Sequence, residues 1–170
     1  MFCSFECKDT DIEKLMQDIK SGTVQLPDFQ RGWIWDNELI RNLIASITCP
    51  YPIGVMILLQ CENNPKFHWE PIKGSPTENK DKIPEFLILD GQQRLTTIYR
   101  SMYDKNPVDT TDDKKAVKYF YYINIKKAID SSCDRIDAIM AVPENKIVTI
   151  TSNDEKNVEI VFEKNFCEGL

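Results

Sequence analysis

The chain of 170 residues contains a single histidine, His68, and its six cysteines, at positions 3, 7, 49, 61, 133 and 167, form no Cys-X-X-Cys pair. Zinc centres need clustered thiolates and imidazoles, so this inventory argues against a structural zinc site. The thiols are expected to be reduced and mostly buried, with Cys49 and Cys61 in the core at element ends. His68, beside Trp69 in a polar stretch, reads as a surface residue rather than a catalytic base. No Gly-X4-Gly-Lys-Ser/Thr segment occurs, which excludes the ordinary phosphate-binding loop. No apolar run approaches the roughly 20 residues of a membrane span. The start, Met1-Phe2-Cys3-Ser4, leads into charge instead of a signal-peptide core, so a cytoplasmic location is expected. An excess of basic charge is missing too. With 21 basic and 27 acidic residues the net charge is −6, which argues against a wholly basic nucleic-acid surface and leaves room only for a local patch. No internal repeat is visible.

What is present is ordinary globular composition, 42% hydrophobic and 28% charged, in a length that predicts one domain over residues 1–170. The most informative stretch runs from Glu85 to Tyr103. Phe86 to Leu89 is a short apolar run suited to a strand covered on both faces, and Asp90-Gly91 ends it with turn chemistry. Leu95, Ile98, Tyr99 and Met102 then recur at helical spacing, with Gln92, Gln93 and Arg94 in the first turn. Asp90 is the expected N-cap, and Gly91 permits backbone forbidden to other residues. Amide groups at a helix start, with the fork of Arg94, can cradle an anion. A capped helix with a solvated polar first turn accounts for the same residues.

A second glutamine–arginine pair, Gln30-Arg31, lies in the segment Pro27 to Trp35, which has neither helical nor strand period. The aromatics Phe29, Trp33 and Trp35 can pin this loop by packing, or serve as a hydrophobic staple before the next helix. Around these segments a helix is predicted from Thr10 as N-cap to Gly22, then a strand at Val24–Leu26. A helix from Asn37 to Thr48 follows, capped by Asp36, and then a buried strand from Ile53 to Gln60. Gly54 inside that strand suggests a bulge or a close approach of another backbone. Residues 61–84 read as an exposed excursion, 104–115 as a charged loop, and 119–125 as an aromatic strand. Ile136, Ile139 and Met140 suggest a short helix, and residues 146–151 and 158–162 a hairpin. The mixed order fits an α+β domain, a mixed sheet covered by helices.

Three blocks, Leu26 to Trp35, Pro52-Ile53-Gly54 and Leu89 to Thr97, together resemble the N-terminal, GmrS-type domain of GmrSD modification-dependent restriction proteins. The resemblance covers about residues 10–103. It implies a ParB/sulfiredoxin-like fold, nucleoside-triphosphate hydrolysis, defence against foreign or modified DNA, and a separate C-terminal nuclease domain of His-Asn-His type. Nothing after Tyr119 supplies histidines for that domain, so the chain reads as the N-terminal part of a longer protein, and DNA cleavage is expected to belong elsewhere.

The residue types in these blocks, taken together with that resemblance, assign catalysis to Asp90, Gln93 and Arg94, and nucleotide binding to Gln30, Arg31, Gly91, Gln92, Thr96 and Thr97. Asp90 would hold Mg²⁺ or orient water, with Arg31 and Arg94 clamping phosphates. The implied partners are a nucleotide, DNA through the full-length protein, the nuclease domain and a second copy of the chain. The alternatives are a sensor that binds nucleotide or DNA without turnover, a ParB-like nuclease, and a structural scaffold. The two glutamine–arginine pairs are expected to meet in one cleft.

Overall fold

Local signals in the first forty residues set the start of the architecture in the computed structural model, which describes residues 6–49, 51–61, 67–151 and 157–161. Asp11, not Thr10, caps helix α1 (Ile12–Lys20), its carboxylate accepting from the Glu13 amide at 2.7 Å. The predicted Thr10–Glu13 capping box is not formed: with Asp11 as the cap, Lys14 stands where a box needs Glu or Gln, and a single side-chain cap takes its place. Glu13 in the first turn and Lys20 in the last complement the helix dipole, and Leu15, Met16 and Ile19 form the buried face. The chain divides into two compact units, Met1–Gly32 with Met56–Gln92, and Trp33–Val55 with Gln93–Leu170.

In the first unit α1 packs on strand β1 (Val24–Pro27), which is buried throughout. Strands β2 (Ile57–Gln60), β3 (Trp69–Glu70) and β4 (Phe86–Asp90) complete a sheet of order β2-β4-β1-β3. β1 and β4 run parallel, with Val24 opposite Phe86, and the outer pairings are antiparallel. Leu87 and Ile88 are fully buried although they point to opposite faces, as an apolar run covered on both sides requires. The strand predicted from Ile53 is shorter, begins at Ile57, and is largely exposed. Residues 61–84 are also less loose than predicted. Ile72 is buried, a 3-10 turn spans Thr77–Asp81, and the buried Gln25 amide donates to the carbonyls of Gly22, Asn79 and Lys82 at 2.8–3.1 Å. Asn79 returns a bond to the Lys20 carbonyl at 2.9 Å, so polar ties fasten a stretch whose charge read as solvation.

In the second unit Asp36 caps helix α2 (Asn37–Thr48) as predicted, accepting from the Leu39 amide at 2.9 Å. Its face Ile40, Ile44 and Ala45 forms a core with Val108 and Ile139, on which Trp33, Trp35, Tyr121 and Ile136 pack. Helix α3 (Gln92–Ile98) runs on as a π-helical turn, Tyr99–Tyr103, closed by the Asp104 amide bonding back to the Tyr99 carbonyl at 2.7 Å. The predicted charged loop is instead a hairpin. Strands β5 (Val108–Asp112) and β6 (Lys115–Ile123) are joined by Asp113 and Lys114, both at positive φ, as a two-residue turn between twisted strands demands. Val108 and Thr110 are buried while Asp109 is half-buried and Thr111 exposed, which supplies the period-two pattern that the charges obscured.

β6 ends at Ile123, and Asn124 caps a short helix α4 (Ile125–Ile129) that the periodicity does not predict. Arg135–Ala138 is a 3-10 turn, and Ile139 and Met140 belong to strand β7 (Ile139–Pro143) rather than to a helix. β7 pairs with β6, and the Arg41 guanidinium binds the carbonyls of Ile136 and Ile139 at 2.9 and 3.0 Å. Strands β8 (Ile147–Thr151) and β9 (Asn157–Val161) pair antiparallel as predicted, and the turn expected at 152–154 lies outside the described residues. The architecture is α+β. Cys49, Cys61 and Cys133 are half-buried and Cys7 is exposed, so the thiols are less enclosed than expected, whereas His68 is on the surface.

Candidate functional site

β4 delivers Asp90 to its exposed end, and Gly91 follows at φ +94°. A Cβ at Gly91 would stand 2.9 Å from the Cγ of Met56, so both the backbone angle and the space call for glycine. The helix begins at Gln92, so Gly91 rather than Asp90 occupies the position before it. Gln92 is buried, not solvated as a polar first turn would be.

In the same unit, Gln30 reaches across 58 residues of sequence. Its side-chain amide donates to the carbonyl of Ile88 and, at 3.2 Å, to that of Leu89. These are strand groups immediately before Asp90, so the Gln30-Arg31 pair is held at the end of β4. Arg31 is exposed and forms no hydrogen bond or ion pair among the described residues. Phe29 is exposed as well, in an edge-on contact with Phe67 at 5.5 Å between ring centroids.

The second unit takes over the chain from Trp33 and from Gln93. The Trp33 indole N–H donates to the Thr97 hydroxyl at 2.9 Å, and the Ile34 amide donates to the Gln93 side-chain oxygen at 3.2 Å. The aromatic loop is thus pinned to α3, as the packing reading proposed. Thr96 and Thr97 are both fully enclosed. The Thr97 hydroxyl serves Trp33, and that of Thr96 finds no partner among the described residues. Arg94 is half-buried, and its guanidinium donates to the carbonyls of Ile53 at 2.6 Å and Val55 at 2.7 Å. The close approach expected at Gly54 is real, but a side chain makes it: a Cβ there would lie 2.2 Å from Nη1 of Arg94.

Arg100 escaped the sequence reading. It is buried, donates to the Pro107 carbonyl at 2.9 Å, pairs with Asp109 at 3.3 Å, and lies 5.8 Å from the Trp33 ring centroid. The available signal was a basic residue beside Tyr99 on an apolar helix face. In the same unit a carboxylate-lined cavity of about 290 Å³ is bounded by Asp36, Glu38, Thr111, Asp112, Asp113 and Lys114. Asp112 there accepts from Tyr119 at 2.9 Å and from Asn37 at 3.2 Å. Among the described residues no three His, Cys, Asp or Glu side chains converge as a protein-only metal site requires, and no helix is long and apolar enough to cross a membrane.

The chain belongs to the family described as "GmrSD restriction endonuclease, N-terminal domain", whose model matches residues 12–166. An uncharacterized protein of Methanocaldococcus jannaschii is 32% identical over 132 residues, covering 73% of this chain and 22% of that protein. The chain therefore spans about a fifth of the length of that relative.

Proposed function

We propose that this domain binds a nucleoside triphosphate at the Asp90–Arg94 elbow and hydrolyses it, as the regulatory part of a restriction and defence protein whose nuclease lies elsewhere. One observation carries the reading. Gln30 is fastened to the carbonyls just before Asp90, so Arg31, an exposed cation without a partner among the described residues, is held at the strand end that bears a carboxylate. Phosphoryl transfer needs positioned cations for the phosphates and a carboxylate for the accompanying metal, with little covalent chemistry from the protein.

Arg31 is the phosphate contact beside Asp90 in this reading. At the helix side of the elbow, the bonds that Arg94 makes to the Ile53 and Val55 carbonyls orient its guanidinium. Asp90 would hold Mg²⁺, an ion commonly bound by one or two carboxylates with phosphate oxygens and waters completing its shell. When bound, Mg²⁺ neutralises phosphate charge. Gly91 lets the backbone approach the ligand. Gln92, Thr96 and Thr97 are buried, and their part is to hold the elbow in shape. Residues 1–170 act as one functional domain with ParB-like kinship. Its partners are DNA and a His-Asn-His-type nuclease domain within the full-length protein, and a second copy of the chain.

A sensor without turnover is the second reading. It is favoured by the Gln93 side-chain oxygen, which accepts from the Ile34 amide and is thereby less available to orient an attacking water. Phosphate release and equilibrium titration with each common nucleoside triphosphate, with and without Mg²⁺, separate the two. Arg31→Ala is expected to weaken binding by about tenfold or more without lowering thermal stability, because a charge-assisted contact is worth roughly 1.5–3 kcal/mol. Absence of binding by the parent protein would refute both readings.

A further inference from the structure

We propose that Gly54, with the carbonyls of Ile53 and Val55, forms a socket that positions the guanidinium of Arg94, which makes Gly54 a positioning residue of the site. The two accepting carbonyls flank Gly54, and both take their hydrogen bonds from the same side chain, at 2.6 and 2.7 Å. Between them the backbone turns at φ +93°, a conformation that favours glycine. The guanidinium occupies the place a side chain would need. A Cβ on Gly54 would sit 2.2 Å from Nη1 and 3.3 Å from Cζ of Arg94. The end of an arginine ordinarily yields to such a clash, but here yielding means giving up both carbonyls.

The dependence runs in both directions. Tyr51, Pro52, Gly54 and Val55 are exposed, with Tyr51 at 68% and Val55 at 73%, so apolar packing contributes little to holding this segment. Apart from the Tyr51 amide bond to the Cys49 carbonyl, the bonds to Arg94 are the polar ties of this segment among the described residues. The planar fork can hold two carbonyls at once, whereas an ammonium is a point charge on a flexible stem. Pro52-Ile53-Gly54 and the arginine of Asp90-Gly91-Gln92-Gln93-Arg94 are therefore two halves of one device, separated by some forty residues of sequence. The effect of the socket on a ligand rests on the nucleotide reading above; its effect on the segment does not.

The test measures the rate of limited proteolysis by thermolysin at Ile53–Val55, mapped by mass spectrometry, in the parent chain, Arg94→Ala, Arg94→Lys, Gly54→Ala and the Arg94→Ala/Gly54→Ala double variant. Each alanine variant is expected to be cleaved there about tenfold faster or more, the loss that goes with two hydrogen bonds to a charged group. The double variant should be cleaved little faster than Arg94→Ala, because both substitutions empty the same socket. Arg94→Lys should fall between Arg94→Ala and the parent. Multiplicative effects in the double variant, or unchanged cleavage in Arg94→Ala, overturn the inference. Should Gly54→Ala fail to fold, the arginine variants decide it, and parent-like cleavage in Arg94→Lys overturns it. In titrations with Mg²⁺ and adenosine or guanosine triphosphate, Gly54→Ala should bind about tenfold more weakly or worse. Equal binding overturns the positioning role while leaving the nucleotide reading intact. No binding by the parent overturns that reading, and the cleavage results then decide the socket alone.

Discussion

Replacing Arg100 by methionine would remove a buried cation while keeping most of its stem. The side chain is 5% exposed and touches two carboxylates of different environment, Asp104 at 9% and Asp109 at 48%. Asp109 can rehydrate when the guanidinium leaves, so its 3.3 Å contact is discounted to about 1 kcal/mol. Asp104 cannot. Its carboxylate, 3.9 Å from Nε, would stay enclosed without a cation, and the Pro107 carbonyl would lose its 2.9 Å donor. Together these losses come to roughly 3 kcal/mol after the apolar gain of methionine, somewhat below the 3–5 kcal/mol for breaking a fully buried pair. For a chain of this size that corresponds to a fall in Tm of about 6–12 °C. Thermal unfolding followed by circular dichroism measures it. Adding Asp104→Asn should recover part of the loss, since a neutral amide replaces the stranded charge. A methionine variant melting within about 2 °C of the parent would refute the assignment of Arg100 as a buried ionic anchor beneath Trp33.

The tyrosines make stability sensitive to high pH. Burial pushes Tyr121 far above its ordinary value of 10.0, and Tyr99 and Tyr119 are also raised, by burial first and then by nearby carboxylates. The folded chain keeps protons that the unfolded chain releases above pH 10, so this contribution is complete below that pH and is lost as pH rises past it. Melting temperatures should fall above about pH 10, less steeply in Tyr121→Phe, and a flat profile would contradict the burial. Cys61, whose thiol is pushed up by burial, should alkylate more slowly at neutral pH than the exposed Cys7 in a peptide-resolved labelling time course. Equal rates would show Cys61 to be accessible.

Features governed by neighbours within a few residues were legible in the amino-acid sequence. The Asp36 cap, the apolar faces of α1 and α2, the passage from β4 through Gly91 into α3, and the pairing of β8 with β9 all follow from caps, periodicity and turn residues. The errors arose where a local signal competed with burial. Charges between 104 and 115 concealed a hairpin, and Ile139 and Met140 fitted a helical spacing but sit in a strand because β6 was there to pair with them.

The sequence by itself determined the family, the α+β class and the three blocks that carry the candidate site, since composition, spacing and turn chemistry are properties of the chain alone. Only the tertiary structure decided what those blocks do to one another. Gln30 bonds to strand carbonyls 58 and 59 positions away, Trp33 to a threonine 64 positions away, and the guanidinium of Arg94 fills the space that Gly54 leaves empty. Such contacts depend on which groups the folded backbone brings within about 3 Å, a distance that no pattern of spacing along the chain encodes.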